Sequence, residues 1–300
     1  MTPPPSRPLR LLLVDAGNSR TKIGVFSEPP ADPHELPPCS ACIAIDNHMP
    51  APWDELARTH ALDLAGTDAW RLCLTGSNPT RVAELRASLP SGWPTPVEFP
   101  DRSRLPLEIN VDFPQQVGID RLLNAIAANR LRRPGQAAVL ISSGTATTVD
   151  YVDPAGRFCG GAILPGFELA ARALHEYTAL LPLIPLEPVL ASPPDAVGRN
   201  TADAIRSGLY WGHVGAVREL LRQALHRGTQ DQSALGASDE RHLGNVSAEE
   251  TPLVLVTGGA APLLLPHLPS FCRSEPCLPL QGLALVVWEV LRAEPAAAGG

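Results

Sequence analysis

The 300-residue sequence has no basic excess, and its formal net charge is −7. A protein that lies on nucleic acid or an anionic membrane needs a basic face, so neither role is expected. No run comes near the ~18 consecutive apolar residues of a membrane-spanning helix. The opening MTPPPSRPLRLLLVDAG is basic, but only Leu11 to Val14 are consecutively apolar before Asp15. A secretory signal needs an apolar core of roughly 7–15 residues, so the expectation is a short tail and a cytoplasmic protein. No G-x-x-x-x-G-K-[ST] loop occurs. No internal repeat is visible, and the eight His are scattered without metal-ligand spacing. Cys39, Cys42, Cys73, Cys159, Cys272 and Cys277 are too dispersed for a disulfide framework. Cys39 and Cys42 with Cys272 and Cys277 would make a four-sulfur zinc set, but the loose second pair favours ordinary reduced thiols.

What is present supports a sizeable core, with 44% hydrophobic residues. Proline clusters at 3–8, 29–38, 50–52, 90–99 and 182–194, which read as loops. Residues 227–252 are polar and read as a mobile surface insertion. Strands are expected near 10–16, 21–27 and 72–77, as a hairpin at 137–153, and at FCGGAIL and LVLVTGG. Helices are expected near 53–62, 80–88, 118–131, 167–180 and 199–226, and at LALVVWEVLRA. Leu169, Leu174 and Leu180, and likewise Leu283, Val287 and Leu291, stand at helical spacing and read as packing. A strand, a Gly-bearing turn and a return strand occur twice, with helices later. That pattern is α/β with two similar halves, and the expected domains are 1–117 and 118–300.

Three Gly-containing turns follow apolar strands: Asp15-Ala16-Gly17-Asn18, Ser142-Ser143-Gly144-Thr145 and Val256-Thr257-Gly258-Gly259. Glycine lets backbone amides approach an anion, and neighbouring hydroxyls add donors. Any one such turn alone is an ordinary hairpin. Three across two halves suit a nucleotide clamped between domains. Asp15 is a candidate Mg²⁺ partner through water, and Lys22 a candidate phosphate cation. In VGIDRLLNAIAANRLRR, Asp120 stands in a first helical turn with Asn124 on its face. It is either a general base aimed at a hydroxyl, helped by Arg121, or an acid favoured there by the helix dipole.

Together these segments resemble the type III pantothenate kinases, of the actin-like superfamily. The matching stretches are DAGNSRTKIG, VGIDRLLNAIAA, SGTATTVDYVD, FCGGAILPG, TALLP, GRNTADAIRSGLYWG, TGGAA and LPLQGLALV. The resemblance implies two actin-like (RNase H-like) domains with a nucleotide cleft between them. It implies MgATP-dependent phosphorylation of the primary hydroxyl of pantothenate by a homodimer. On the matching positions, Asp15, Ala16, Gly17, Asn18, Ser19, Arg20, Thr21 and Lys22 would hold the ATP phosphates. Thr145, Gly258 and Gly259 would also contact ATP. Gly118, Ile119, Asp120, Arg121 and Thr201 would contact pantothenate, with Asp120 the proton acceptor. A non-catalytic accessory or regulatory protein on the same fold is the alternative, and the kept Asp15, Asp120 and Arg121 argue against it.

Two positions depart from the family pattern. Ser142 stands where the family carries an Asp that holds a monovalent cation (K⁺ or NH₄⁺), so a K⁺ requirement is expected to be weak or absent. Val111 stands where many members carry a Tyr beside pantothenate, and Phe113 is the candidate to fill that place.

Overall fold

The computed structural model describes residues 9–27, 31–59, 70–186, 189, 191–234 and 251–293. The tail expected at 1–8 lies outside them, as does 235–250 of the expected insertion. The chain divides into two compact units. The first comprises Met1–Glu108, Phe113–Leu131 and Cys277–Gly300, and the second Ile109–Asp112 and Arg132–Pro276. This departs from a single cut at 117/118, because two helices from the C-terminal side pack in the first unit.

In the first unit, β1 (Arg10–Ala16), β2 (Arg20–Phe26), β3 (Cys39–Asp46) and β4 (Trp70–Thr75) form a sheet of order β3-β2-β1-β4. β1 runs antiparallel to β2 and parallel to β4. Its Leu11–Ala16 stretch is wholly buried, as a central strand covered on both faces must be. Edge strand β3 instead alternates between half-buried and exposed residues. Helices α1 (Trp53–Thr59) and α2 (Pro79–Ala87) follow β3 and β4. Asn78 caps α2 by accepting from the Arg81 amide at 3.0 Å, and Pro79 opens its first turn, where no intrahelical N–H is needed. Trp53, Trp70 and Leu85 join the apolar strand residues in the core.

Helix α3 (Ile119–Leu131) belongs to this unit. Its partner is the last helix, Leu278–Ala293. A Cβ on Gly282 would come within 2.0 Å of the Leu123 carbonyl oxygen, so the two helices meet backbone to backbone. Leu283 and Val287 are buried, as their spacing predicts.

The second unit repeats the pattern. β5 (Ala138–Ser143), β6 (Ala146–Val152), β7 (Phe158–Pro165), β8 (Leu253–Thr257) and the short β9 (Arg273–Ser274) stand in the order β7-β6-β5-β8-β9. β5 is antiparallel to β6 and parallel to β8, as β1 is to β2 and β4. Helices α4 (Phe167–Glu176) and α5 (Thr201–Ala234) pack against its core, and a short α6 (Ala261–Leu264) follows β8. The last helix of the first unit is therefore α7. Helix α5 runs to Ala234, so the first residues of the expected insertion are helical. The packing reading of 167–180 needs correcting. α4 ends at Glu176, which leaves Leu180 outside the helix and 91% exposed, and Leu169 is 46% exposed. Leu174 does pack on the core.

Candidate active site

The first glycine turn joins β1 to β2. The strands stay in register to Ala16 opposite Thr21, with Asp15 opposite Lys22, and the Gly17 amide donates to the Arg20 carbonyl at 3.0 Å. Asn47, just past β3, ties the turn down. Its Nδ2 donates to the carbonyls of Gly17 (2.8 Å) and Asn18 (3.0 Å). Its backbone amide donates to the carbonyl of Ser19 at 3.1 Å. In a trans peptide the next amide points opposite to the carbonyl. The amides of Asn18, Ser19 and Arg20 therefore point away from Asn47. Thr21 Oγ1 donates to Asn47 Oδ1 at 2.8 Å, and Arg81 lies 3.5 Å from that hydroxyl. Neither Asn47 nor Arg81 carried a sequence signal, being 26 or more residues from the groups they hold, in unremarkable loop and helix contexts.

Asp15 is 5% exposed, and its Oδ1 is buried without a hydrogen-bond partner among the described residues. Burial raises its pKa from the ordinary 3.8 to about 6, Lys22 pulls it down and the Asp120 charge pushes it up. Lys22 is the only lysine in the chain. An orphaned carboxylate oxygen with a cation opposite it suits a hydrated Mg²⁺ with phosphate, since Mg²⁺ keeps its waters and takes few carboxylates.

Asp120 opens α3, where the helix dipole favours a carboxylate. A Cβ on Gly118 would lie 2.6 Å from Asp120 Oδ1, so the glycine gives the carboxyl room to fold back over the chain. The Gly118 carbonyl accepts the amides of Arg121 (3.2 Å) and Leu122 (3.4 Å). Arg121 is half-buried, whereas the Ile119 side chain is in the core and leaves only its backbone for a ligand. Asn124, one turn on, is buried, and its Oδ1 has no hydrogen-bond partner among the described residues. The structure thus gathers Asp15, Lys22 and Asp120 in the first unit closely enough for their charges to interact.

The second unit holds the other glycine turns. Thr145 lies exposed in the β5–β6 turn, and the Gly144 amide donates to the Ala146 carbonyl at 3.0 Å. Gly258 follows β8 at φ +94°, where a Cβ would meet the Ser143 carbonyl oxygen at 2.3 Å. Together with Gly259 it brings the end of β8 against that of β5, and the Ala260 amide donates to the Ser143 carbonyl at 3.1 Å. Gly258→Ala is expected to destabilise the protein by about 1–3 kcal/mol from backbone strain alone. Chemical denaturation of the variant measures this, and nucleotide affinity should fall with it.

Beneath the β5–β6 turn, Ser143 and Thr147 share a hydrogen bond at 2.8 Å, and Thr147 reaches His213 Nε2 at 3.0 Å. Burial lowers the His213 pKa, disfavouring the charged ring. Asp150 is buried and accepts from Thr148 Oγ1 at 3.0 Å. The TATTVD stretch signalled this strand, but His213, 66 residues away, gave no cue. Ser142 is half-buried opposite Thr148 and Thr257, so hydroxyls surround the place where the family has its carboxylate.

Thr201 stands in the first turn of α5. It lines an apolar groove of about 760 Å³ with Pro165, Leu174, Tyr177 and Leu209. Asn200 caps that helix through the Asp203 amide at 2.9 Å. Phe113 is 67% exposed, and Val111 lies against Gly160.

A repeated α/β unit with glycine turns at strand ends and a carboxylate at a helix start is a scaffold suited to holding phosphate groups. A family model for type III pantothenate kinase matches residues 11–223. The chain is 41% identical over 180 residues to the type III pantothenate kinase of Gluconobacter oxydans, covering 60% of this chain and 57% of that protein. It thus spans little more than half the length of that relative. To the Rubrobacter xylanophilus enzyme of the same name it is 32% identical over 293 residues, covering 92% of this chain and 96% of that protein. Among solved structures, an archaeal actin homolog covers 93% of this chain and is itself covered to 99%, with 12% identity and a TM-score of 0.40. The chain belongs to the type III pantothenate kinase family.

Proposed function

We propose that the protein transfers the γ-phosphoryl group of ATP to the primary hydroxyl of pantothenate, the first step towards coenzyme A. The observation that carries this is the meeting of three groups in one unit: the Asn47-braced turn, the Asp15–Lys22 pair and Asp120 on α3. In this reading the amides at 18–20 and Lys22 receive the β- and γ-phosphates. Asp15 holds Mg²⁺ through water, and the ion when bound neutralises phosphate charge. Asp120 accepts the proton of the attacking hydroxyl, and Arg121 receives the pantothenate carboxylate. Thr145 and the Gly258-Gly259 turn contact the nucleotide, and Thr201 the substrate. Phosphoryl transfer through a loose transition state asks mainly for positioning and charge stabilisation, which these groups supply. Purified protein with MgATP should release ADP only when pantothenate is added, with 4'-phosphopantothenate identified by mass. Folded protein that releases no pantothenate-dependent ADP would favour the regulatory reading.

At Ser142 a neutral hydroxyl replaces the family's carboxylate, so cation binding there loses its main electrostatic attraction. Replacing Na⁺ by K⁺ at constant ionic strength should leave the initial rate unchanged. A strong activation by K⁺ would contradict this.

We also propose a homodimer formed through the face around the 760 Å³ groove. Tyr177 (86% exposed) lines the groove and Leu180 (91%) stands between its lining residues Thr178 and Leu181, apolar side chains that a monomer would leave wet. Leu180→Asp should shift the species seen in sedimentation towards the monomer; an unchanged profile would count against this face.

A further inference from the structure

The three-dimensional arrangement changes the reading of the cysteines. Two residues three apart on a flat strand point to opposite faces. Edge strand β3 is not flat: Phe26 pairs with Cys39 and Val25 with Ala41, so Ser40 is an extra, bulged residue. The bulge returns Cys39 and Cys42 to one face of the sheet. There they meet Cys277, whose carbonyl accepts the Gln281 amide at 2.9 Å at the start of α7. The three Sγ atoms all lie within 4.8 Å of one another. Cys272 is not in this group and packs on the core of the second unit. Gly24 leaves the floor of the cluster open, since a Cβ there would stand 3.4 Å from Cys39 Sγ and 3.0 Å from Leu280 Cδ1.

We propose that Cys39, Cys42 and Cys277 form a three-thiolate site for a thiophilic divalent cation, zinc, with the fourth position left to water or an outside ligand. The donor set is soft and all-sulfur, which selects zinc over Mg²⁺. Tetrahedral zinc with Zn–S of about 2.3 Å requires S···S edges of about 3.8 Å, so the thiols need close by no more than about 1 Å. Cys39 Sγ now donates to the Ala41 carbonyl at 3.0 Å, a weak bond that deprotonation would exchange for a metal bond.

The test uses the full chain, reduced and metal-free, titrated anaerobically with Co²⁺. One equivalent should produce thiolate-to-cobalt charge transfer in the near ultraviolet and intense visible bands of tetrahedral cobalt. Zn²⁺ should then abolish both. Cys42→Ser, at an exposed position, and Cys277→Ser should lose the bands and at least about tenfold in zinc affinity, while Cys159→Ser and Cys272→Ser keep them. Circular dichroism checks that each variant is folded. Absence of the charge-transfer band, its survival in Cys42→Ser, or an isolated disulfide within the trio that resists metal loading after mild reduction would overturn the assignment. None of these readouts depends on kinase activity.

Discussion

Asp120→Asn is expected to lower kcat by about 10²- to 10⁴-fold, the usual worth of a positioned general base. The amide keeps the size of the side chain and the room that Gly118 gives it. It removes the acceptor for the hydroxyl proton and one charge at the start of α3. The helix itself should lose only about 0.3–1 kcal/mol of dipole stabilisation, so the variant should stay folded. Affinity for both substrates should change little, because the proton moves only as the phosphoryl group transfers. The Asp120 charge raises the Asp15 pKa, so the variant should also let Asp15 ionise at lower pH. Steady-state kinetics with both substrates varied separates these effects. A variant that retains near-normal kcat would remove Asp120 from the chemistry.

The second large effect concerns Asp15, where function and stability oppose each other. A carboxyl that titrates at about 6 when folded and near 3.8 when unfolded binds its proton more tightly in the native state. Below both values it is protonated in either state and adds no bias. As pH rises from about 4 through 6 the unfolded chain gives up the proton first, and ligand-free stability falls by about 3 kcal/mol. Asp15→Asn should remove that loss, so the variant unfolds at higher denaturant than wild type at pH 7–8 and the two converge near pH 4. The same change should all but abolish kinase activity, because Mg²⁺ loses its carboxylate. In the wild type, MgATP binding should weaken below pH 6 as Asp15 takes up a proton. Equal stability of the two proteins at pH 8 would contradict this account of the buried carboxylate.

The strands that carry the first turn were legible because Leu11–Val14 is a continuous apolar run followed by Gly17, and a buried central strand reads that way. The β5–β6 hairpin was legible for the same reason. Strand β3 was not: CSACIAID is built mostly of small residues with weak strand preference, and its bulge depends on a partner that sequence does not reveal. The first turn of α7 was also missed. Pro279 and Gly282 read as loop residues, yet proline is tolerated in a first turn and the glycine is needed where α7 meets Leu123. The assignment of α3 and α7 to the first unit follows from that contact, which no local pattern announces. In the site, Asp15, Lys22 and Asp120 were marked by their motifs. Asn47, which braces the turn, and the cysteine trio depend on contacts between distant segments. Phe113, read as a candidate beside pantothenate, is exposed within this single chain.

The central claim is that one unit grips the ATP phosphates while Asp120 takes the hydroxyl proton. A crystal structure with Mg²⁺, a non-hydrolysable ATP analogue and pantothenate tests it most directly. The account predicts the analogue's β- and γ-phosphates on the amides of residues 18–20 and on Lys22, with the Asp120 carboxylate within hydrogen-bond reach of the pantothenate hydroxyl. A nucleotide bound elsewhere with that turn empty, or an Asp120 carboxyl directed away from the hydroxyl and the γ-phosphorus, would contradict it.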